Sequence, residues 1–265
     1  MAANYWESSQ FQRFMLTRFE LAELDSMHML QLTSREITHI KIYFSSLVLR
    51  IGKRLRARQE IVATALVYFK RFYINNTFYD LDPYLMTATC LYLACKVEEN
   101  PHHIKQIWSE SKAAFAEVSP DIRFPYDVPD IAECESYLLE EMKFYLVVYH
   151  PYQVLLDVSE QIKLPKPSLQ AAWSIINDSY QTDAIFVYPP HVIAVAAMFL
   201  SRVVDQGSQS DVEAQQWFAD LNVDITDVLQ VVSDLLVLYG LWNTYSEEKM
   251  PELVYRYIAD IAASN

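Results

Sequence analysis

Apolar residues recur every three to four positions through most of the chain, the spacing of helices with one buried face. Ile37, Ile40, Phe44, Leu47, Val48 and Ile51 form one such stripe. Ahead of it, Thr33-Ser34-Arg35-Glu36 places a hydroxyl at the cap position and a carboxylate three residues on, a capping box. The spacing predicts a helix over 35–52 and a second over 58–75, through Ile61, Ala65, Tyr68, Phe69 and Phe72. A third opens at Asp82-Pro83, with proline at the first helical position, where its missing N–H is harmless. Leu85, Met86, Ala88, Leu91, Tyr92, Leu93 and Ala94 make it apolar nearly all round, so it is expected to be central and buried. Helices over 102–118 and 130–144 complete a set of five, with Pro120, Pro125 and Pro129 in the loop between them. After His150-Pro151 the pattern restarts, with helices expected over 152–161, 168–182, 190–204, 212–219 and 225–242. Trp6, Phe11, Phe14 and Phe19 give the N-terminal segment a rough apolar stripe, enough for a docked helix. Residues 206–210 read as a polar surface loop, and 247–265 as a short helix that need not belong to the core.

The two sets are copies. Residues 66–96 lie over 173–203 at a constant offset of 107, without a gap. Pro83 falls on Pro190, Tyr73 on Tyr180, and Leu91-Tyr92-Leu93 on Met198-Phe199-Leu200. A repeat of this length is a helical subdomain made twice rather than a small solenoid unit. The expected organisation is an N-terminal extension (1–33), a first repeat (34–147), a second repeat (148–243) and a tail (244–265). The copies diverge where the third helix ends: Lys96-Val97-Glu98-Glu99 in the first, Val203-Val204-Asp205-Gln206 in the second. Function is expected at that divergence.

Composition narrows the class. Only Gly52, Gly207 and Gly240 are glycine in 265 residues, which argues against glycine-turned sheets and leaves no phosphate-binding glycine loop. The fold class is therefore all-α. A net charge of −13 is the wrong sign for a chain whose task is gripping phosphates, so no direct nucleic-acid partner is expected. Arg50, Lys53, Arg54, Arg56 and Arg58, with Lys70 and Arg71 nearby, form a local basic patch that reads equally as a solvated helix end or as a surface for an acidic partner. Cys90, Cys95 and Cys134 sit in apolar helical stretches, as reduced buried thiols do. The longest apolar run, 192–200, is too short to cross a bilayer, so no membrane is expected. His102-His103, being adjacent, point to different helix faces and cannot chelate together. No metal, no cofactor and no catalytic constellation is read from the sequence.

Several segments carry a resemblance: Asn4-Tyr5-Trp6, Val67 to Tyr73, Ala94-Cys95-Lys96-Val97-Glu98-Glu99, Glu133-Cys134-Glu135, Tyr149-His150-Pro151-Tyr152, Asn177 to Asp183 and Tyr188-Pro189-Pro190. Together they resemble the cyclin family from the N-terminus to about Trp242, and within it the C-type branch. The resemblance implies two consecutive five-helix cyclin boxes with an extra N-terminal helix. It implies a non-enzymatic, nuclear regulatory subunit of a cyclin-dependent kinase, the Mediator kinase, with other Mediator kinase-module subunits as partners. One departure stands out. Cell-cycle cyclins carry an apolar docking patch with a tryptophan on the first helix of the first box, where this chain has Ile40 to Phe44 and Leu47. That suits a transcriptional cyclin better than a mitotic one. The alternatives are a transcriptional cyclin of the H, K or T type and, from a different class, a promoter-binding factor like general transcription factor IIB.

By the same resemblance, Lys96 and Glu135 grip the kinase, with Glu98, Glu99, Tyr68 and Arg71 beside them. Docking would swing the kinase C helix inward and assemble its lysine–glutamate pair, a population shift toward the active state. Glu98 and Glu99 would supply the negative charge that a phosphate supplies elsewhere. At a helix C-terminus carboxylates oppose the macrodipole, so stability alone would not select them. Trp6, Phe11 and Phe14 belong to the extension that contributes to kinase selectivity. Asn177, Asp178, Tyr180 and Asp183 fall in the second helix of the second repeat, either as a buried hydrogen-bond network or as the lining of a groove between the repeats for another subunit.

Overall fold

The computed structural model describes residues 4–28, 32–118, 124–206 and 223–264. All regular structure among them is helical: α1 (Ser9–Phe14), α2 (Arg18–His28), α3 (Ser34–Leu55), α4 (Gln59–Asn75), α5 (Pro83–Val97), α6 (Ile104–Val118), α7 (Val128–Glu141), α8 (Pro151–Gln161), α9 (Lys166–Ser179), α10 (Ala184–Val187), α11 (Pro190–Gln206), α12 (Ile225–Trp242) and α13 (Met250–Ser264). The chain divides into two compact units, one of residues 1–148 with 244–265, the other of residues 149–243.

In the first unit α5 is the axis. It packs against α3, α4, α6 and α7, and every residue from Pro83 to Cys95 except Tyr92 is buried. The reason is compositional: with apolar side chains all round, it gains most when surrounded. Asp82 caps it by accepting the Tyr84 N–H at 2.7 Å. α3 begins at the expected box, with Thr33 Oγ1 accepting from the Glu36 N–H and the Glu36 carboxylate accepting from the Thr33 N–H. Gly52 lies where α3 meets α4. A Cβ built there would stand 2.5 Å from Val62 Cγ2, so only glycine permits this approach.

The tail differs from expectation. Rather than lying apart, α13 belongs to the first unit, with Met250, Leu253, Val254 and Tyr257 buried. Its aromatic residues draw it in: Tyr255 stacks on Tyr84 at 6.1 Å, and Tyr257 meets Phe78 edge-on at 5.9 Å. Each such pair contributes about 0.5–1.5 kcal/mol beyond area burial. The basic patch on α3 also resolves inward. Arg50 forks onto Glu247 at 2.8 and 3.0 Å, and Arg54 reaches Glu110 at 2.8 Å and also Glu117. The chain's own carboxylates therefore hold these two arginines.

In the second unit α11 takes the axial place, packed by α8, α9, α10 and α12. The duplication shows in the helix starts: Gln59 and Lys166, and Pro83 and Pro190, open corresponding helices at the same offset. The expected helix over 212–219 and the loop 206–210 lie mostly outside the described residues. Two helices end earlier than expected. α7 stops at Glu141 because Lys143 and Phe144 turn left-handed, with φ of 49° and 60°. α9 stops at Ser179, so Tyr180 is its cap and Asp183 precedes α10.

Candidate functional site

The end of α5 and the middle of α7 meet on the surface of the first unit. Lys96 Nζ donates to both oxygens of Glu135, at 2.6 and 2.9 Å. Two residues singled out separately in the sequence are thus each other's partners. The ammonium also lies 4.5 Å from the centre of the Tyr92 ring, a cation–π contact. Partial burial works against the charged form of Lys96, but the Glu135 hydrogen bond and charge outweigh it and its pKa is raised. The lysine side chain is 43% exposed and the glutamate 13%, so the pair is open to a partner from the lysine side.

Glu98 and Glu99 part company. Glu98 is the cap of α5, and its carboxylate accepts from Thr64 Oγ1 at 2.6 Å while its carbonyl accepts from Arg58 at 2.8 Å. Glu99 follows in the left-handed region, φ 53°. The Asn100 N–H then closes back onto Cys95 O at 3.0 Å, the hydrogen bond that usually follows a glycine in this position. Among the described residues the Glu99 carboxylate forms no hydrogen bond or ion pair, and the residue is exposed. A glutamate in this backbone conformation is disfavoured. Its backbone is thus strained while its carboxylate stays open to solvent.

Two residues that the resemblance sets beside this pair, Tyr68 and Arg71, are buried. Tyr68 has 0% exposure, and its hydroxyl donates to Leu146 O at 2.6 Å. Arg71 is 4% exposed, donates to Tyr145 O at 3.2 Å and lies 4.0 Å over the Phe14 ring. Burial lowers its pKa to about 10, with Tyr68 and Tyr5 opposing. Both side chains anchor the segment after α7. The sequence shows their polarity, but not that the carbonyls they satisfy lie more than seventy residues away. That same anchored segment holds what sequence reasoning missed. Phe144 is 68% exposed and Val147 59%, with Tyr137 of α7 at 39%. Phe144 reads as the last turn of an amphipathic helix, and only the paired left-handed residues turn it outward.

The N-terminal aromatics also divide. Trp6 and Phe11 stack edge-on at 4.9 Å and stay 50% and 37% exposed, whereas Phe14 turns inward against Arg71 and Tyr145. In the second unit the polar residues form a hydrogen-bonded set. Tyr152 donates to Asn177 Oδ1 at 2.8 Å, Tyr239 donates to Asp178 Oδ2 at 3.1 Å, and Tyr180, 1% exposed, pairs with His150. Burial pushes Asp178 up to about 6, against the Tyr239 hydrogen bond.

Comparison with known proteins follows the same lines. The family profile described as Cyclin, N-terminal domain, matches residues 13–147. The RNA polymerase II holoenzyme cyclin-like subunit of Yarrowia lipolytica is 37% identical, over 94% of this chain and 96% of that protein. Cyclin-C of Rattus norvegicus is 39% identical, over 94% of this chain and 87% of its own length. Among solved structures, a chain of the yeast TFIIK (Kin28/Ccl1/Tfb3) complex superposes with a TM-score of 0.68 at 20% identity, covering 88% of this chain and 99% of that one. That likeness concerns the fold. Profile and relatives together cover both units, and the chain belongs to the cyclin family.

Proposed function

We propose that this chain is the regulatory subunit of a cyclin-dependent kinase that serves RNA polymerase II transcription, and that the kinase is the one associated with Mediator. The observation that carries the reading is the open Lys96–Glu135 pair with the unpartnered Glu99 beside it, on a chain whose relatives are named cyclin-C and RNA polymerase II holoenzyme cyclin-like subunit. The kinase C helix would exchange polar groups with the pair while Phe144 and Val147 supply apolar contact. Binding that prefers the inward C helix shifts the kinase toward its active state, by no more than the difference in affinity for the two states. Glu99 then faces the arginines of the activation segment as a fixed negative charge, in the role a phosphate plays elsewhere. Glu98, committed to Thr64, shapes the turn that presents it. In this reading the chain's work is conformational. Action on transcription places it in the nucleus, with other Mediator kinase-module subunits as further partners. The exposed Trp6 and Phe11 contribute to the choice of kinase.

The test is reconstitution with the Mediator kinase and, separately, with a cell-cycle kinase, using wild type and Glu99→Gln. The expected result is binding and activation of the Mediator kinase alone, with Glu99→Gln still bound but at least about tenfold slower in phosphoryl transfer. Equal activation of both kinases would sink the subtype, and full activity of Glu99→Gln would sink the role of that charge.

A further inference from the structure

The solvent face of α12 has no place in the account above. Val228, Val231, Val232, Leu235 and Leu238 fill the buried face of this 18-residue helix. On the other side Ile225, Leu229, Leu236 and Val237 are between 49% and 60% exposed. A surface helix ordinarily turns charge to solvent. Here the other exposed positions of the helix interior are Thr226, Gln230, Ser233 and Gly240, all uncharged. By length and composition the helix would even pass for a membrane span, with a mean hydropathy of 1.4.

The pattern along this face is regular. Leu229 and Leu236 are seven apart, and Thr226, Ser233 and Gly240 are spaced by seven between them. Leucine alternating with small residues at heptad spacing is the seam on which a second helix packs closely. Gly240 is the most telling member. A Cβ there would meet nothing within 4 Å, so the fold does not require glycine. Yet glycine costs a helix interior about 1 kcal/mol relative to alanine. Close approach of another backbone is what a bare glycine on an outward seam would serve.

Charge selects the occupant. Asp227 and Asp234, seven apart, lie along one edge of the seam, Asp224 caps the helix by accepting the Thr226 N–H at 2.8 Å, and the helix contains no lysine or arginine. A second copy would bring the same acidic edge, on a chain of net charge −13. A bilayer surface favours helices with basic flanks, which this one lacks. We propose that the solvent face of α12 is a docking surface for a helix of another protein, apolar on one face and basic along its edge. That helix seats on Leu229, Leu236 and Val237, with its backbone closest at Ser233 and Gly240. One helix pair of this length buries roughly 600–800 Å², below a standard interface, so alone it binds weakly, with a Kd on the order of 10 µM or above.

The test uses the full chain and two labelled helical peptides with the same leucine–alanine seam, one edged with lysine and one with glutamate. Fluorescence anisotropy is read for wild type, Gly240→Leu, which fills the open space, and Leu236→Ser. The expected result is saturable binding of the lysine peptide, weakened at least about tenfold in both variants and in the glutamate peptide. Equal binding of both peptides, or of neither, overturns the proposal. So does a dimer in sedimentation that Gly240→Leu dissolves, which would make the occupant a second copy, or co-sedimentation of wild type with phosphatidylcholine vesicles. A melting temperature lowered in Gly240→Leu would also overturn it, because the chain itself would then cover this face.

Discussion

The axial helices of the two units start alike and finish differently. α5 and α11 both open on proline and both are the most surrounded helix of their unit. The last turn of α5 holds Lys96, whose ammonium is held by Glu135 and remains reachable; the position 107 residues on is Val203, 51% exposed and uncharged. Packing demands explain what the copies share. They do not explain Lys96 and the strained Glu99 at the close of α5, or Phe144 turned outward after α7.

Making the two ends alike should produce the largest effect. Lys96→Val gives α5 the residue that α11 carries, and leaves Glu135 mostly buried without its partner. Removing one member of a charge pair at an interface costs about 2–5 kcal/mol. Kinase binding measured by calorimetry should therefore weaken between about thirtyfold and several thousandfold. The reciprocal Val203→Lys should create no second kinase site, because Gln206, at the offset of Glu99, is still part of α11 and carries no charge. Full-strength binding by Lys96→Val would mean that the divergence is not the docking point.

A smaller effect, on stability rather than binding, is expected where the first two helices of each unit meet. Ser159 stands at the same offset from Gly52. Gly52→Ala puts a methyl within 2.5 Å of Val62, whose branched side chain has little freedom to move. A loss of about 1–3 kcal/mol is expected in urea unfolding. Ser159 is buried, and its hydroxyl donates to Leu156 O within its own helix at 2.8 Å. Ser159→Ala only removes atoms and should cost less than about 1 kcal/mol. Equal losses would mean that the close approach is not peculiar to the first unit.

Helix starts were legible in the sequence because their signals are local: the Thr33–Glu36 box, Asp82-Pro83, and the prolines at 151 and 190. Helix ends were not, because Arg56, Glu99, Lys143 and Phe144 take left-handed backbone without being glycine or asparagine. That obscured Phe144, which α7 was expected to absorb. Lys96 and Glu135 were legible as individuals, through the resemblance and through a charge closing an apolar helix. That they bind each other was not, since nothing in either segment encodes the distance between them. The burial of Tyr68 and Arg71 was illegible for the same reason: their acceptors, Leu146 O and Tyr145 O, are backbone atoms far along the chain. The tail was underestimated because Tyr255 and Tyr257 look like ordinary surface aromatics until Tyr84 and Phe78 are seen beneath them.

The smallest effect distinguishes two carboxylates, one in each unit, whose folded pKa values move in opposite directions. In the first unit the Thr33 backbone and hydroxyl hydrogen bonds lower the pKa of Glu36. Its contribution is present above the unfolded carboxyl pKa and is lost as pH falls through the lower, folded value. In the second unit burial raises Asp178 from 3.8 to about 6. There the native state holds its proton more tightly than the unfolded chain. Stability from this group falls as pH rises from about 4 through 6, and the penalty persists at neutral pH. Asp178→Asn keeps an acceptor for the Tyr239 hydroxyl and removes the charge. It should raise stability at pH 7.5 by about 1 kcal/mol, after allowing for the part of the carboxylate that solvent screens. The gain should fade as pH approaches 4, where wild type carries no charge at this position either. Melting temperatures of the two proteins from pH 4 to 8 would show the difference opening between pH 5 and 7. A difference constant across that range would mean that Asp178 is ionised with an ordinary pKa, as an open surface carboxylate is.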